Sequence, residues 1–279
     1  MRLLSLLVFA VLTNVCFCGE EPQAPPQITA IVGAMPVEIK LLEAELSDKQ
    51  EKLIQSVRFA SGKLRGRQVV LVRSGVGKVN AAITTTLLIE HFRPAELIFS
   101  GIAGGINPDL QPGDVLIATK TAQHDFGDLL AEGIKRQGTR NLITWKRNPL
   151  FYETEPRLIA LAETSAARVQ FKPIESAAGP RTPKTRKGVI VTGDVFVAAE
   201  DKKNELRKAL EADAVEMEGA AVAQVCFQQQ VPCVVIRSIS DLADASAAVR
   251  SRDFAQVAAE NSARLVMEMA GELVAKEKR

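Results

Sequence analysis

Short apolar runs that end abruptly in glycine or charge alternate along this chain with longer stretches whose apolar positions recur every three or four residues. Residues 28–32 predict a first strand. Gly33 then turns the chain into a helix that Pro36 opens, where a missing N–H costs nothing, with Ile39, Leu42 and Leu46 on one face. Residues 57–64 and 68–73 read as strands joined by Arg65-Gly66-Arg67 in a hairpin. Residues 78–92 predict a helix with Val79, Ala82, Ile83 and Leu87 as its apolar face. Further strands are expected at 96–100, 114–118, 188–192 and 231–236. One amphipathic helix is expected near 156–171, inside an otherwise basic and irregular segment at 127–187 that reads as a solvated excursion. The chain closes on a helix over 252–276, with Phe254, Val257, Ala258, Leu265 and Met269 packing over the sheet. This alternation predicts an α/β fold: a single domain with a central mixed β-sheet flanked by helices.

The run 231–236 belongs inside a sheet, so the charges that follow in Arg237-Ser238-Ile239-Ser240-Asp241 mark a carboxyl edge, where open α/β sheets bind ligands. The strand at 188–192 ends in Gly193-Asp194-Val195-Phe196, and Glu216-Met217-Glu218 delivers carboxylates toward the same rim. Glu38, in the first turn of its helix, faces that rim too, unless it only complements the helix dipole. Gly101-Ile102-Ala103-Gly104-Gly105 lets a ligand approach bare backbone, so Ala103 and Gly104 are expected to floor a pocket for a sugar or base. A P-loop is excluded because Gly75-Val76-Gly77-Lys78 lacks the glycine spacing and the following hydroxyl. A dinucleotide fold is excluded because Pro108 and Pro112 punctuate a loop where its helix should start.

Six blocks in register carry a resemblance: Val32-Gly33-Ala34-Met35 with Glu38, Ser74-Gly75-Val76-Gly77-Lys78-Val79, Ser100 to Gly105, Thr192 to Phe196, Val215-Glu216-Met217-Glu218, and Val235 to Asp241. From about residue 28 onward the chain resembles the nucleoside phosphorylase and nucleosidase superfamily, most closely the methylthioadenosine/S-adenosylhomocysteine nucleosidases. The resemblance implies a nucleoside phosphorylase-like fold and hydrolysis of a purine N-glycosidic bond. It assigns Asp241 to protonate purine N7, Glu38 to activate water, Glu218 to accept from the ribose hydroxyls and Arg237 to position water and carboxylates. It further implies that Phe196 and the Val197 backbone hold the base, that Met217 lies under the ribose beside Glu216, and that Ser240 orients Asp241. His124-Asp125 stands where the family often carries such a pair near the pocket or the subunit contact, and a homodimer follows from resemblance alone. A phosphorolytic enzyme and a nucleoside-binding protein without turnover are the alternatives. Binding alone would not need Glu38, Glu218 and Asp241 together. Phosphorylases hold phosphate with arginines, yet Phe99 and Ile102 stand where an arginine and a hydroxyl would be expected.

Composition narrows the partners. Hydrophobic residues make up 47% and aromatics 5%, so Val, Ile, Leu and Ala fill the core. A formal net charge of +2, without a basic stripe interleaved with aromatics, excludes nucleic acid and leaves a small-molecule purine nucleoside. His91 and His124 stand far apart with no cysteine at ligand spacing, so no metal and no cofactor is expected. Arg2 followed by the apolar run 3–12 reads as a signal peptide over 1–19, with a linker over 20–27 and the nucleosidase domain over 28–279. Export to the periplasm or outside the cell follows, with no stable membrane insertion of the mature chain. Val15 and Phe17 precede Cys16 and Cys18 where a lipid-anchored cysteine needs a small residue, which disfavours a lipid anchor. Cys226 and Cys233 read as apolar fillers rather than a bridge.

Overall fold

The computed structural model describes residues 27–175 and 179–277, so the expected signal peptide and most of the linker lie outside the described residues. The elements in chain order are β1 (Thr29–Gly33), α1 (Pro36–Ala44), β2 (Ser47–Ile54), β3 (Val57–Leu64), β4 (Arg67–Arg73), α2 (Lys78–Phe92), β5 (Glu96–Gly105) and β6 (Val115–Gln123). The basic segment supplies β7 (Gly127–Leu130), β8 (Gly133–Arg136), β9 (Phe151–Glu153) and α3 (Pro156–Ala166). Then follow β10 (Thr185–Thr192), α4 (Glu200–Leu210), β11 (Ala214–Glu216), α5 (Gly219–Gln229), β12 (Cys233–Asp241) and α6 (Ala247–Glu277).

Period-two alternation in the strands sorts the core into two layers. Ala30, Val32, Leu97, Phe99 and Val235 pack on one side with Ala81 and Leu88 of α2 and Val222 and Cys226 of α5. Their neighbours Ile31, Ile98, Val234 and Ile236 face the other side, against Leu42 of α1, Leu158 of α3 and Leu265 and Met269 of α6. Burying each such side chain contributes about 1.5–3 kcal/mol, which fixes strand register because a one-residue slip would turn every one of them outward. The mixed sheet has ten strands, ordered β11-β10-β6-β12-β5-β1-β4-β3-β2, with β9 beside β6. β12, β5, β1 and β4 run parallel, so their carboxyl ends share one rim. At the opposite end, buried Glu96 accepts from Thr29 Oγ1 (2.6 Å), Arg67 Nη2 (3.0 Å) and Arg157 Nη1 (3.1 Å), pinning the first residues of β1, β4 and β5.

Five elements depart from expectation. β2 has no apolar pattern and is exposed except at Ile54; antiparallel pairing with β3 makes it a strand. The central strand continues through its glycines to Gly105, because β12 pairs with it as far as Gly104 and β11 joins antiparallel at Gly104 and Gly105. In α2 the inward face is Ala81, Thr84, Thr85, Leu88 and Ile89, while Val79 and Ile83 of the expected apolar face point outward. Both faces of α2 therefore carry apolar side chains, and only one of them is covered by the fold. The closing helix begins earlier than expected, at Ala247, and α3 stops at Ala166.

Candidate active site

β1 ends at Gly33 against the middle of β5, and α1 opens at Pro36, so the Glu38 carboxyl reaches back to the turn after β1 and to the backbone of β5. Its Oε2 accepts from the N–H groups of Ala34 (2.6 Å) and Met35 (2.8 Å), and its Oε1 accepts from Ile102 N–H (2.9 Å). Gly101 makes this possible. A Cβ there would lie 2.4 Å from Glu38 Oε1 and 3.0 Å from Arg237 Nη1, so any side chain would collide with both. Burial raises the Glu38 carboxyl above its ordinary value, and Arg237 with the three N–H groups pulls it part of the way back.

Arg237 leaves the middle of β12 fully buried, with its guanidinium 4.0 Å from the Phe99 ring centroid and Nη1 donating to the carbonyls of Phe99 and Ile236. Its Nη2 pairs with Glu216 Oε2 at 2.6 Å. Glu216 also accepts from Thr192 Oγ1 and from the N–H groups of Glu218 (3.1 Å) and Gly219 (2.7 Å). Although Glu216 lines the cavity, both of its oxygens are thus taken by protein donors. Glu218, the residue at which α5 begins, reaches across to Gly77, whose N–H donates to Oε1 at 2.7 Å. Gly77 adopts φ +95°, a conformation that favours glycine, and so turns its N–H toward α5. Burial first, and the neighbouring Glu216 charge second, push the Glu218 carboxyl up to about 8.

The β12–β5 ladder pairs Ile239 with Ala103 and Asp241 with Gly104, leaving Ser240 as an extra residue in a bulge. In a regular strand Ser240 and Asp241 would face opposite sides; with the bulge, both line the cavity. Ser240 Oγ donates to Asp241 Oδ2 (2.8 Å) and Ala243 N–H donates to Oδ1 (2.9 Å), fixing the carboxyl group. Burial raises the Asp241 pKa against these two bonds. Gly104 leaves it room, since a Cβ there would lie 2.8 Å from Oδ1.

Glu38, Ala103, Gly104, Phe196, Glu216, Met217, Glu218, Ser240 and Asp241 together line one cavity of about 150 Å³. Val197 borders a small recess that shares Gly104, Phe196, Met217 and Asp241 with it. Arg237 stands behind the cavity wall and acts through the carboxylates it faces. His124 does not line the cavity. Its ring is buried against Gly193, burial lowers its pKa to about 4, and neither ring nitrogen has a partner among the described residues. Asp125 accepts from Lys78 Nζ (2.6 Å) and Asp194 N–H (2.8 Å), bracing the turn that leads to Phe196. His91 is exposed in the last turn of α2. Val76, Ser251 and the N–H groups of Ala34 and Met35 also border the cavity; the glycine-bearing turns 33–35 and 75–77 mark all but Ser251, which lies in α6 and carries no such signal.

At this rim one buried arginine faces several carboxylates over glycine-lined backbone, and the profile of the phosphorylase superfamily matches residues 28–270 of the chain. A 5'-methylthioadenosine/S-adenosylhomocysteine nucleosidase of Anoxybacillus flavithermus is 40% identical over 88% of this chain and 98% of that protein. Its counterpart in Mycobacterium tuberculosis is 36% identical over 86% of this chain and 95% of that protein. Among solved structures, the Neisseria meningitidis nucleosidase in complex with methylthio-immucillin-A gives a TM-score of 0.76 at 35% identity, covering 88% of this chain and 99% of that one. Native futalosine hydrolase of Helicobacter pylori gives 0.75 at 34% identity, covering 88% and 98%. The chain belongs to the 5'-methylthioadenosine/S-adenosylhomocysteine nucleosidase family.

The charge crowding makes stability depend on pH. Glu218 holds its proton more tightly folded, at about 8, than at its ordinary value of 4.5. The stability it contributes is therefore complete below the unfolded value and is lost as pH rises through the folded one. Denaturant unfolding of the protein alone should give lower stability at about pH 9 than at about pH 5, and Glu218→Gln should flatten this difference. A wild-type profile that rises over the same interval would contradict the assignment.

Proposed function

We propose that this protein hydrolyses the N-glycosidic bond of adenosine-type nucleosides, 5'-methylthioadenosine, S-adenosylhomocysteine or related purine nucleosides, to free base and the ribose derivative. The position of the Glu38 carboxylate carries this reading. It occupies three backbone N–H donors at the rim, where a phosphate nucleophile would need them. An anion placed there would meet a buried carboxylate, which is strongly unfavourable, whereas water beside the same group loses its proton readily. Water attacks the anomeric carbon while Glu38 takes its proton. The bond to the base breaks as Asp241 gives its proton to purine N7, and the leaving adenine departs neutral. Glu218 accepts from the ribose hydroxyls, Met217 packs under the sugar, and Phe196 with the Val197 backbone holds the base. The raised pKa of Asp241 favours the protonated form that a general acid needs. The relatives named as nucleosidases, and the inhibitor complex among them, support hydrolysis over phosphorolysis. The futalosine hydrolase of comparable likeness keeps nucleosides with other substituents within the proposed class.

The chain works as a homodimer. The outward Val79 and Ile83 of α2, with Val76 before it and exposed Phe227 on the neighbouring α5, supply the apolar surface for that contact. The N-terminal apolar run supports export after cleavage near residues 19–23, which places the activity in salvage of external nucleosides.

Four outcomes are expected. Glu38→Gln and Asp241→Asn should each slow turnover by about 10²- to 10⁴-fold with smaller changes in affinity. Product analysis should give free ribose or a 5-substituted ribose at a rate independent of phosphate, and ribose 1-phosphate would move the enzyme to the phosphorylases. Light scattering should show a dimer that Val79→Glu with Ile83→Glu dissociates; an unchanged mass places the contact elsewhere. N-terminal sequencing of the exported protein should begin near residue 20, and an intact Met1 on a cytoplasmic species would remove the salvage role.

A further inference from the structure

The first turn of α5 is capped by side chains that lie outside the helix. A helix start leaves N–H groups without partners of their own, and the residue at the boundary ordinarily serves the second or third helical position with its side chain. Here that residue is Glu218, and its side chain makes no such bond. Glu216 accepts from the N–H groups of Glu218 (3.1 Å) and Gly219 (2.7 Å), and the Glu218 carbonyl accepts from Ala221 N–H (2.8 Å). The second helical N–H, that of Ala220, donates to Thr192 Oγ1 at 2.8 Å.

Thr192 is the last residue of β10 and is fully buried. It pairs with Glu216, the last residue of β11, and the next N–H, of Gly193, donates to the Glu216 carbonyl at 3.1 Å. Its hydroxyl proton is committed to Glu216 Oε1, so a lone pair is turned toward Ala220. One hydroxyl therefore supports both the carboxylate paired with Arg237 and the start of the helix that follows Glu218. With every N–H of that turn served, the Glu218 carboxyl is left to cross the cavity to Gly77 N–H (2.7 Å) instead of folding back on its own helix. Of the two carboxyls at this turn, Glu216 is fully occupied, so Glu218 is the one able to take the place of Thr192 at Ala220.

We propose that Thr192 is a positioning residue for Glu218: by capping α5 from β10 it holds that carboxylate out in the cavity, where it accepts from the ribose hydroxyls. The inference rests on the part given to Glu218 in the hydrolytic reading above. Without the Thr192 hydroxyl, the Ala220 N–H is buried with no acceptor, which costs the full desolvation of that group. The Glu218 side chain then turns back as an ordinary cap, and the sugar loses its acceptor. The effect is confined to the ribose-hydroxyl end of the cavity, since Glu38 and Asp241 take their bonds from other stretches of backbone.

The test compares kcat/KM for 5'-methylthioadenosine with kcat/KM for its 3'-deoxy counterpart, because this ratio cancels any loss of activity that both nucleosides share. In the wild type the hydroxyl should favour the first by about 10- to 100-fold over the baseline set by Glu218→Ala, the range for a hydrogen bond to a charged group. Thr192→Val keeps the shape and removes the hydroxyl; it should bring the ratio to within about threefold of that baseline, and Thr192→Ser should restore it. Thr192→Ala, read in the same ratio, keeps the test available if the valine variant does not fold. A wild-type ratio in Thr192→Val, with both nucleosides slowed equally, would overturn the proposal alone and leave Thr192 a purely structural residue. A ratio that Glu218→Ala leaves unchanged would overturn the part given to Glu218, and this proposal with it.

Discussion

One guanidinium serves three buried carboxylates, and the rim is arranged around that shortage. Arg237 forms its ion pair with Glu216 and exerts its charge on Glu38 and Glu218 from the same place. Removing charges from water costs several kcal/mol each unless hydrogen bonds replace the lost solvent, and the fold supplies those bonds from backbone. Glu38 takes three N–H groups, Glu216 takes two together with a threonine hydroxyl, and Glu218 takes one across the cavity. Glu218, with the fewest donors of the three and a charged neighbour, is the one pushed to about 8. A buried cluster with more acid than base holds a proton as part of its structure, and the glycines at 101 and 104 keep enough space for the groups to meet.

The two ends of the sheet divide the labour. At the amino end Glu96 is saturated by Thr29, Arg67 and Arg157, and its network joins three adjacent strands at their starts. With register fixed there, the carboxyl end can carry groups that are poorly compensated. The mid-strand position of Arg237 matters in the same way: a long side chain stacked on Phe99 and bonded to two carbonyls has little freedom to drift from the carboxylates it balances.

Much of this was legible in the chain because strands and glycine turns leave local marks. The charges after Ile236 pointed to the ligand-bearing end of β12, although the strand runs on to Asp241 and Arg237 lies in its middle, and Pro36 marked the helix that lifts Glu38 over the rim. What escaped was set by tertiary pairing. β2 is a polar sequence made into a strand by its neighbour, and β5 runs on through four glycine or alanine positions because β12 and β11 flank it. The α2 face was misjudged because apolar residues lie all round that helix, and periodicity does not tell a side facing the core from a side left bare. Backbone donors to carboxylates leave no residue type to recognise, so the anchoring of Glu38 appeared only in three dimensions.

The bulge at Ser240 stores the aim of the proposed acid as a count of residues rather than as a chemical identity. Side-chain changes at position 240 alter the support given to Asp241 but leave its direction, which is set by the number of residues between Ile239 and Ala243. Shortening β12 by one residue would restore a regular ladder and turn the carboxyl into the wall behind the cavity. In this stretch of chain, length is the heritable quantity that selection has to guard, and the rim should tolerate many substitutions there before it tolerates a single deletion.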